Sequence, residues 1–444
     1  MVFADRKETA ERFIRYASIC TQSEENVPDT PSTAIQRDLA ILLYRELKEM
    51  GASDVVYDEE KCYVYAELPA NLPADEETAA ALSRRSDTAG KRRTCLAPVI
   101  GFAAHMDTSN AVSASEIHPR LIESYDGGVI TLNEQEGICL SPEEFPDLKD
   151  QTGAMLVVTD GTSVLGGDDK AGVTQIMELM RFYLSHPEYP HGTVRVMFTP
   201  DEEVGNGTLN ADLKQFAADY AYTVDGSTVG ELEYENFNAA GARLILHGLS
   251  THPGDAKDKM RNALQMAMDL HALLPEAERP EHTEGYEGFF HLISLEGTCD
   301  EARMEYIIRD HDRGRFEQRK ELMREAAHTI EARCGEGTVD LILEDSYYNM
   351  AEKILPHPEL IDIASKAIRD AGLTVRTQPI RGGTDGCRLS FSGIPCPNLG
   401  TGAYHYHSRY EYVSVDEMVR GVEVLVRIVG AFAGYRLNDE AAGE

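Results

Sequence analysis

Residues 99 to 108 read VIGFAAHMDT, an unbroken apolar run that ends in His105, Met106 and Asp107. Such a run suits a central strand of a parallel sheet covered on both faces better than a half-exposed hairpin strand. Residues two apart on a strand share a face, so His105 and Asp107 point the same way where the strand runs out. That edge is where open α/β sheets place their sites. A carboxylate beside an imidazole also fixes the ring for metal ligation through its other nitrogen. Alone, a His-x-Asp is equally a surface accident, and the rest of the chain has to decide.

The same ending recurs. TVRVMFT, 193 to 199, is a second buried-type strand, followed at once by Pro200, Asp201, Glu202 and Glu203. A third, Tyr220 to Val224, stops at Asp225 and Gly226. Between the first two lies GTSVLGGDDKAG, then a helix whose Val173, Ile176, Met177 and Met180 fall on one face at helical spacing. Gly166 and Gly167 allow a tight turn, and Asp168 and Asp169 precede a helix N-terminus, where negative charge is favoured. These two aspartates serve equally as caps or as ligands. Strands alternating with helices, with acid or imidazole at successive exits, predict an α/β catalytic domain built on a mixed, mostly parallel sheet.

Working outward, Glu8 to Tyr16 has helical spacing, and Thr33 with Gln36 forms a capping-box pattern before the stripe Ile35, Leu39, Leu42, Leu43, Leu47, Met50, closed by Gly51. Pro69 to Thr94 turns abruptly to small and charged residues and reads as an exposed insertion. From about Asn238 the order becomes β-α-β-β-α-β, a ferredoxin-like unit inserted into the first domain. Beyond Met350 the α/β alternation resumes, with a strand at Val375 to Ile380, a loop PCPNLGTGAYHYHSRYEY and a final helix that Ser414 and Glu417 can cap. The expected division is a catalytic domain over 1–236 and 352–444 with the inserted unit at 237–351.

Composition narrows the function. Of 444 residues, 42 are Lys or Arg against 76 Asp or Glu, a formal charge of -34, which disfavours a nucleic-acid partner because phosphate contacts need clustered positive charge. No apolar run approaches the roughly 18 residues of a membrane span. The charged amphipathic start lacks a signal-peptide core, so a cytoplasmic location is expected. Eight cysteines are scattered without a CxxC spacing, which argues for reduced thiols and against a thiolate metal site.

His105, Asp107, Asp168, Glu202, Glu203, Asp225 and the late His407 make an imidazole and carboxylate set suited to zinc, manganese or cobalt. Two metals need a shared carboxylate, and a free glutamate is then left to take a proton from water. The sequence resembles the M20 metallopeptidases through GFAAHMDTS, LGGDDKAG, FTPDEEVG, YTVDG, STHPGDAKDKM, EYIIRDHD, IRGGTDG and PCPNLGTGAYHYHSRYEY, which occur in family order over nearly the whole chain. The resemblance implies a cytoplasmic dizinc aminopeptidase cleaving the N-terminal residue of tripeptides by metal-activated water attack. Its alternative is another hydrolase of the same superfamily, a dipeptidase, carboxypeptidase or acylamino-acid hydrolase.

On matching positions, the resemblance gives one zinc to His105, Asp168 and Asp225 and the other to Asp168, Glu203 and His407. Asp107 orients His105, and Glu202 is the general base. The inserted domain becomes a lid that brings His252 to the scissile carbonyl and through which the chain can form a homodimer. Arg309 and Arg381 become anchors for the peptide carboxylate. The chain departs from the family at Gly167, at Ser227 of VDGS, at His405 and at Tyr410, so the choice of His407 as ligand rests on its place before Ser408, Arg409 and Glu411.

Overall fold

A computed structural model describes residues 2–72, 95–112 and 116–435. The insertion read at Pro69 to Thr94 therefore lies, beyond residue 72, outside the described residues. The chain divides into two compact units, one of Met1–Tyr234, Lys353–Thr377 and Thr384–Glu444, the other of Glu235–Glu352 with Gln378–Gly383.

The first unit is organised by a seven-stranded sheet in the order Ser53–Asp58, Tyr63–Leu68, Val194–Thr199, Ile100–His105, Tyr220–Gly226, Asn398–Gly400, Leu232–Glu233. The four strands from Val194–Thr199 to Asn398–Gly400 run parallel, and the edges are antiparallel. Ile100–His105 and Val194–Thr199 are buried along their whole length, as apolar runs without alternation require. Helix Gly167–Ser185 lies on the centre of this sheet with Val173, Ile176, Met177 and Met180 fully buried. At about 1.5 to 3 kcal/mol per buried side chain, these four anchor the helix firmly before entropy is counted. The approach is so close that a Cβ on Gly172 would sit 1.7 Å from the Val224 carbonyl oxygen. That contact brings the start of the helix beside the exit of strand Tyr220–Gly226.

A smaller antiparallel sheet, Ala403–Tyr404, Tyr412–Ser414, Leu156–Val158 and Arg120–Ile122, and the two-stranded sheet Ile130–Asn133 with Ile138–Leu140 also belong to the unit. The final helix Val415–Ala433 starts at Ser414, whose side chain accepts the Glu417 N–H. Gly51 ends helix Gln36–Met50 in the left-handed conformation at φ 86°.

Three local expectations fail. Val375 to Ile380 forms no strand and makes only the isolated bridges Glu231 to Arg376 and Asn236 to Ile380. Pro379 has no N–H for a ladder, and the stretch has no buried face. Asn398–Gly400, in sequence read as loop, joins the sheet instead. Thr33 and Gln36 do not cap their helix either: the N-cap position is Ile35, without a side-chain bond.

The second unit is a four-stranded antiparallel sheet, ordered Phe289–Gly297, Glu301–Asp310, Asn238–His247, Val339–Tyr347, with helices Ala263–His271 and Arg313–Cys334 against it. Its chain order is the expected β-α-β-β-α-β. Leu244, Leu246, Met304, Tyr306 and Ile308 from the strands meet Met266, Leu270, Phe316, Met323 and Ile330 from the helices in one core.

Candidate metal centre

Three parallel strands deliver their acids to one edge of the sheet. His105 is the last residue of its strand and lies level with Thr199, so the turn Pro200 to Glu203 leaves the sheet beside it. Asp225 follows from the strand on the other side. Asp168 arrives from the start of helix Gly167–Ser185, where its backbone and that of Asp169 are not yet helical. His407 comes from the loop joining Ala403–Tyr404 to Tyr412–Ser414, in the left-handed region at φ 56°.

Side chains from these positions meet in two groups that share one residue. His105, Asp168 and Asp225 offer ligand atoms within 4.8 Å of one another, and so do Asp168, Glu203 and His407. Asp168 turns one oxygen to each group: Oδ1 lies 2.9 Å from His105 Nε2, and Oδ2 lies 3.2 Å from His407 Nε2. His407 Nε2 is also 2.8 Å from Glu203, and His105 Nε2 is 3.5 Å from Asp225. Both imidazoles thus present Nε2 to the centre. His105 Nδ1 faces away, 3.0 Å from the Asp107 carbonyl oxygen and 3.4 Å from its carboxylate.

Asp107 is fully buried and does more than orient a ring. Its carboxylate accepts the N–H of Glu202 at 2.9 Å and that of Glu203 at 3.2 Å. One side chain therefore fixes the turn carrying both glutamates. Glu411, used in sequence only to place His407 and given no role of its own there, supports Asp168: one oxygen accepts the Leu165 and Gly166 N–H at 2.7 and 2.8 Å, the other that of Asp168 at 3.0 Å. Asp169 accepts the His105 N–H, and Asp385 accepts the Thr199 hydroxyl at 2.8 Å. These supports carry no spacing signal, because each bond joins residues 64 or more apart in sequence. Only the acids themselves, the second Asp of GGDD and the Asp of TDG, were there to be noticed.

The electrostatics are those of a site short of positive charge. Burial and the neighbouring Asp225, Asp385 and Glu203 carboxylates push Glu202 well above the usual carboxylate range, against His105. Burial raises Asp225 to about 7 and Glu411 to about 7. Asp168 goes the other way: burial alone would raise it, but hydrogen bonds to His105 and His407 hold it below the usual range. Hydrogen bonds to Asp168 and Glu203 lift His407 to about 10. For His105 burial opposes the charge, and the surrounding aspartates win. Both imidazoles hold protons where cations are wanted, while Glu203 Oε1 is buried without a partner among the described residues. Nitrogen and oxygen donors without thiolate, one carboxylate shared by both groups and an unpaired ligand oxygen fit two divalent metals.

The remaining candidates belong to the second unit. His252 is exposed, with Nδ1 accepting the Gly254 N–H at 3.1 Å. Arg309 is half-buried over the Tyr347 ring at 5.3 Å and has no carboxylate in ion-pair range among the described residues. Burial lowers its pKa. Arg381 spends its donors on the Gly285 and Glu287 carbonyls and on Thr283, where it staples a loop. His405, two residues from His407, pairs instead with Asp147 at 3.0 Å.

Fold and donor set together define a class, the metal-dependent hydrolases with a paired-metal centre at a parallel-sheet edge. The sequence pattern of peptidase family M20/M25/M40 matches residues 166–431, and the chain belongs to that family. Its curated relatives include peptidase T of Alkaliphilus oremlandii, 45% identical over 96% of this chain and 100% of the relative. Peptidase T of Clostridium novyi is 48% identical over 95% of this chain and 98% of the relative. Among solved structures, aminopeptidase PepT from Bacillus cereus superposes with a TM-score of 0.74 at 22% identity, covering 97% of this chain and 100% of that one. A dinuclear metal-binding M20 peptidase from Bacillus subtilis gives 0.62 at 14% identity, covering 96% and 98%.

Proposed function

We propose that this chain is a dizinc aminopeptidase releasing the N-terminal residue of tripeptides. The observation that carries the chemistry is the division of labour around Asp168: two complete ligand groups share it, and one half-buried glutamate, Glu202, belongs to neither. His105, Asp168 and Asp225 would hold one zinc, and Asp168, Glu203 and His407 the other, with manganese or cobalt as possible substitutes. Bound there, the metals supply Lewis acidity and lower the pKa of water. Glu202, its amide held by Asp107, takes the proton of the attacking water and returns it to the leaving amine.

The tripeptide enters through the relatives, which are named peptidase T, and through a Staphylococcus aureus structure described as a tripeptidase, with a TM-score of 0.74. Arg309, a cation without a carboxylate partner among the described residues, is the anchor proposed for the peptide carboxylate, ahead of Arg381 with its committed donors. His252 is proposed to polarise the scissile carbonyl, with the second unit acting as a lid and as the surface of a homodimer. Eight free cysteines suit a reducing, cytoplasmic setting.

A panel of unblocked di-, tri- and tetrapeptides beside N-acylated amino acids tests the reading. Tripeptides should give the highest kcat/KM, with a tripeptide amide lower by roughly 10 to 150-fold for loss of a charge-assisted hydrogen bond. A best substrate that is N-acylated would move the assignment to another hydrolase of the superfamily. Metal analysis of protein purified without chelator should approach two equivalents of zinc.

A further inference from the structure

The capping-box pattern at Thr33 and Gln36 is diverted to the turn that carries Glu202. Gln36 is fully buried. Its Nε2 donates to Asp201 Oδ1 at 2.7 Å, and its Oε1 accepts the Asp201 N–H at 3.3 Å. Ser32 adds its N–H, at 2.8 Å to Oδ2, and its hydroxyl, at 2.5 Å to Oδ1. Asp201 is thus gripped at its backbone and at both carboxylate oxygens by a segment far away in sequence.

The grip falls where it has leverage. Asp201 is 1% exposed and sits at φ 56°, in the left-handed region that a residue with a Cβ occupies only when its surroundings hold it there. Its carbonyl and that of Glu202 accept the N–H of Asn206 and Gly205, closing the turn. Relaxation of Asp201 to negative φ would swing the next side chain, Glu202, away from the sheet edge. The same segment is tied to the other exit: Ser23 N–H donates to the Thr108 carbonyl, Thr108 N–H to Thr21, and the Thr33 hydroxyl to Gln22. Residues 21 to 36 therefore set the exit after Asp107 and the exit before Glu202 relative to each other.

We propose that Ser32, Gln36 and Asp201 form a clamp that positions Glu202 for proton transfer, so that this N-terminal segment is a positioning part of the catalytic machinery. The proposal rests on Glu202 being the base. Its members touch neither substrate nor ligand groups; they act through the backbone of one residue.

The test is a double-mutant cycle in the full-length, metal-loaded protein with Gln36→Met, which keeps side-chain length and removes both bonds. Alone it should lower kcat by about 10 to 100-fold, the scale expected for a misplaced catalytic group, with KM little changed and two metal equivalents retained. In a Glu202→Gln background the same change should lower the residual rate by less than about twofold, because coupled residues do not add. Its effect on Tm should be equal in both backgrounds. An equal loss of kcat in both backgrounds, or an unchanged kcat in the single variant, overturns the clamp. Should Gln36→Met fail to fold, Ser32→Ala carries the same cycle, with a single-variant loss of about 2 to 10-fold and the same criterion of coupling. If Glu202→Gln keeps full turnover, the assignment of the base itself has failed.

Discussion

Replacing Glu411 with glutamine should loosen both metals at once. Its carboxylate, 1% exposed, accepts three backbone N–H groups, two at one oxygen and one at the other. An amide has a single accepting oxygen. If that oxygen stays with Leu165 and Gly166, the NH2 faces the N–H of Asp168, and one hydrogen bond to a charged acceptor becomes a clash of donors. Such a bond is worth about 1.5 to 3 kcal/mol, or roughly 10 to 150-fold in an equilibrium constant. Loss of a supporting partner behind a metal ligand typically costs about 10 to 100-fold in affinity, which agrees. Because Asp168 gives one oxygen to each ligand group, both stepwise dissociation constants should rise, where loss of Glu203 or His407 should affect one. Competition against a chromophoric chelator reads both constants. If either stays within about threefold of the parent value, a shift too small for the loss of one hydrogen bond, Glu411 does not act through the shared aspartate.

Glu202→Gln should cut turnover by about 100 to 10,000-fold while sparing metal content, since the amide keeps the size but cannot accept a proton; Glu203→Gln should instead cost one metal equivalent, and exchanged phenotypes would reverse the two roles. Removing the metals should make stability fall with rising pH. His407, raised to about 10, stabilises the metal-free fold fully below its unfolded value near 6.5 and ceases to do so as pH passes about 10; Asp225, raised to about 7, adds a loss between about pH 4 and 7. Melting curves with chelator from pH 6 to 10 should show this decline, and a metal-free Tm that is flat or rises would contradict the protonation pattern.

What could be read from sequence was what strand physics makes local. Buried runs without alternation marked Ile100–His105 and Val194–Thr199, and the acids beyond their ends were visible because nothing apolar follows them. Helix Gly167–Ser185 declared itself by its spacing and by the glycines before it, and the inserted unit by its order of strands and helices. Asn398–Gly400 was missed because a strand of this length is held by its neighbours and carries no pattern of its own. Gln36 was misread for a related reason: Thr33 and Gln36 have capping-box spacing, but a buried carboxylate at Asp201 offers better bonds than the helix terminus. Glu411 and Asp385 are placed by contacts across long stretches of chain, which local spacing cannot announce. Arg381 looked available because its backbone partners, the carbonyls of residues 283 to 287, carry no identity in a sequence.

The order in which the shared centre receives its residues has a consequence for the chain during synthesis. His105, Asp168 and Asp225 emerge from the ribosome early, with three of the strands that hold them, so the first ligand group can gather while the second unit is still being made. Glu203 then waits for His407, and Asp168 for Glu411, and both reach the sheet only with the C-terminal hairpin. If these groups hold the metals as proposed, a nascent chain short of His407 would take up one metal and not the pair. On the proposed ligand set, a product truncated before His407 would then bind one metal without cutting peptides.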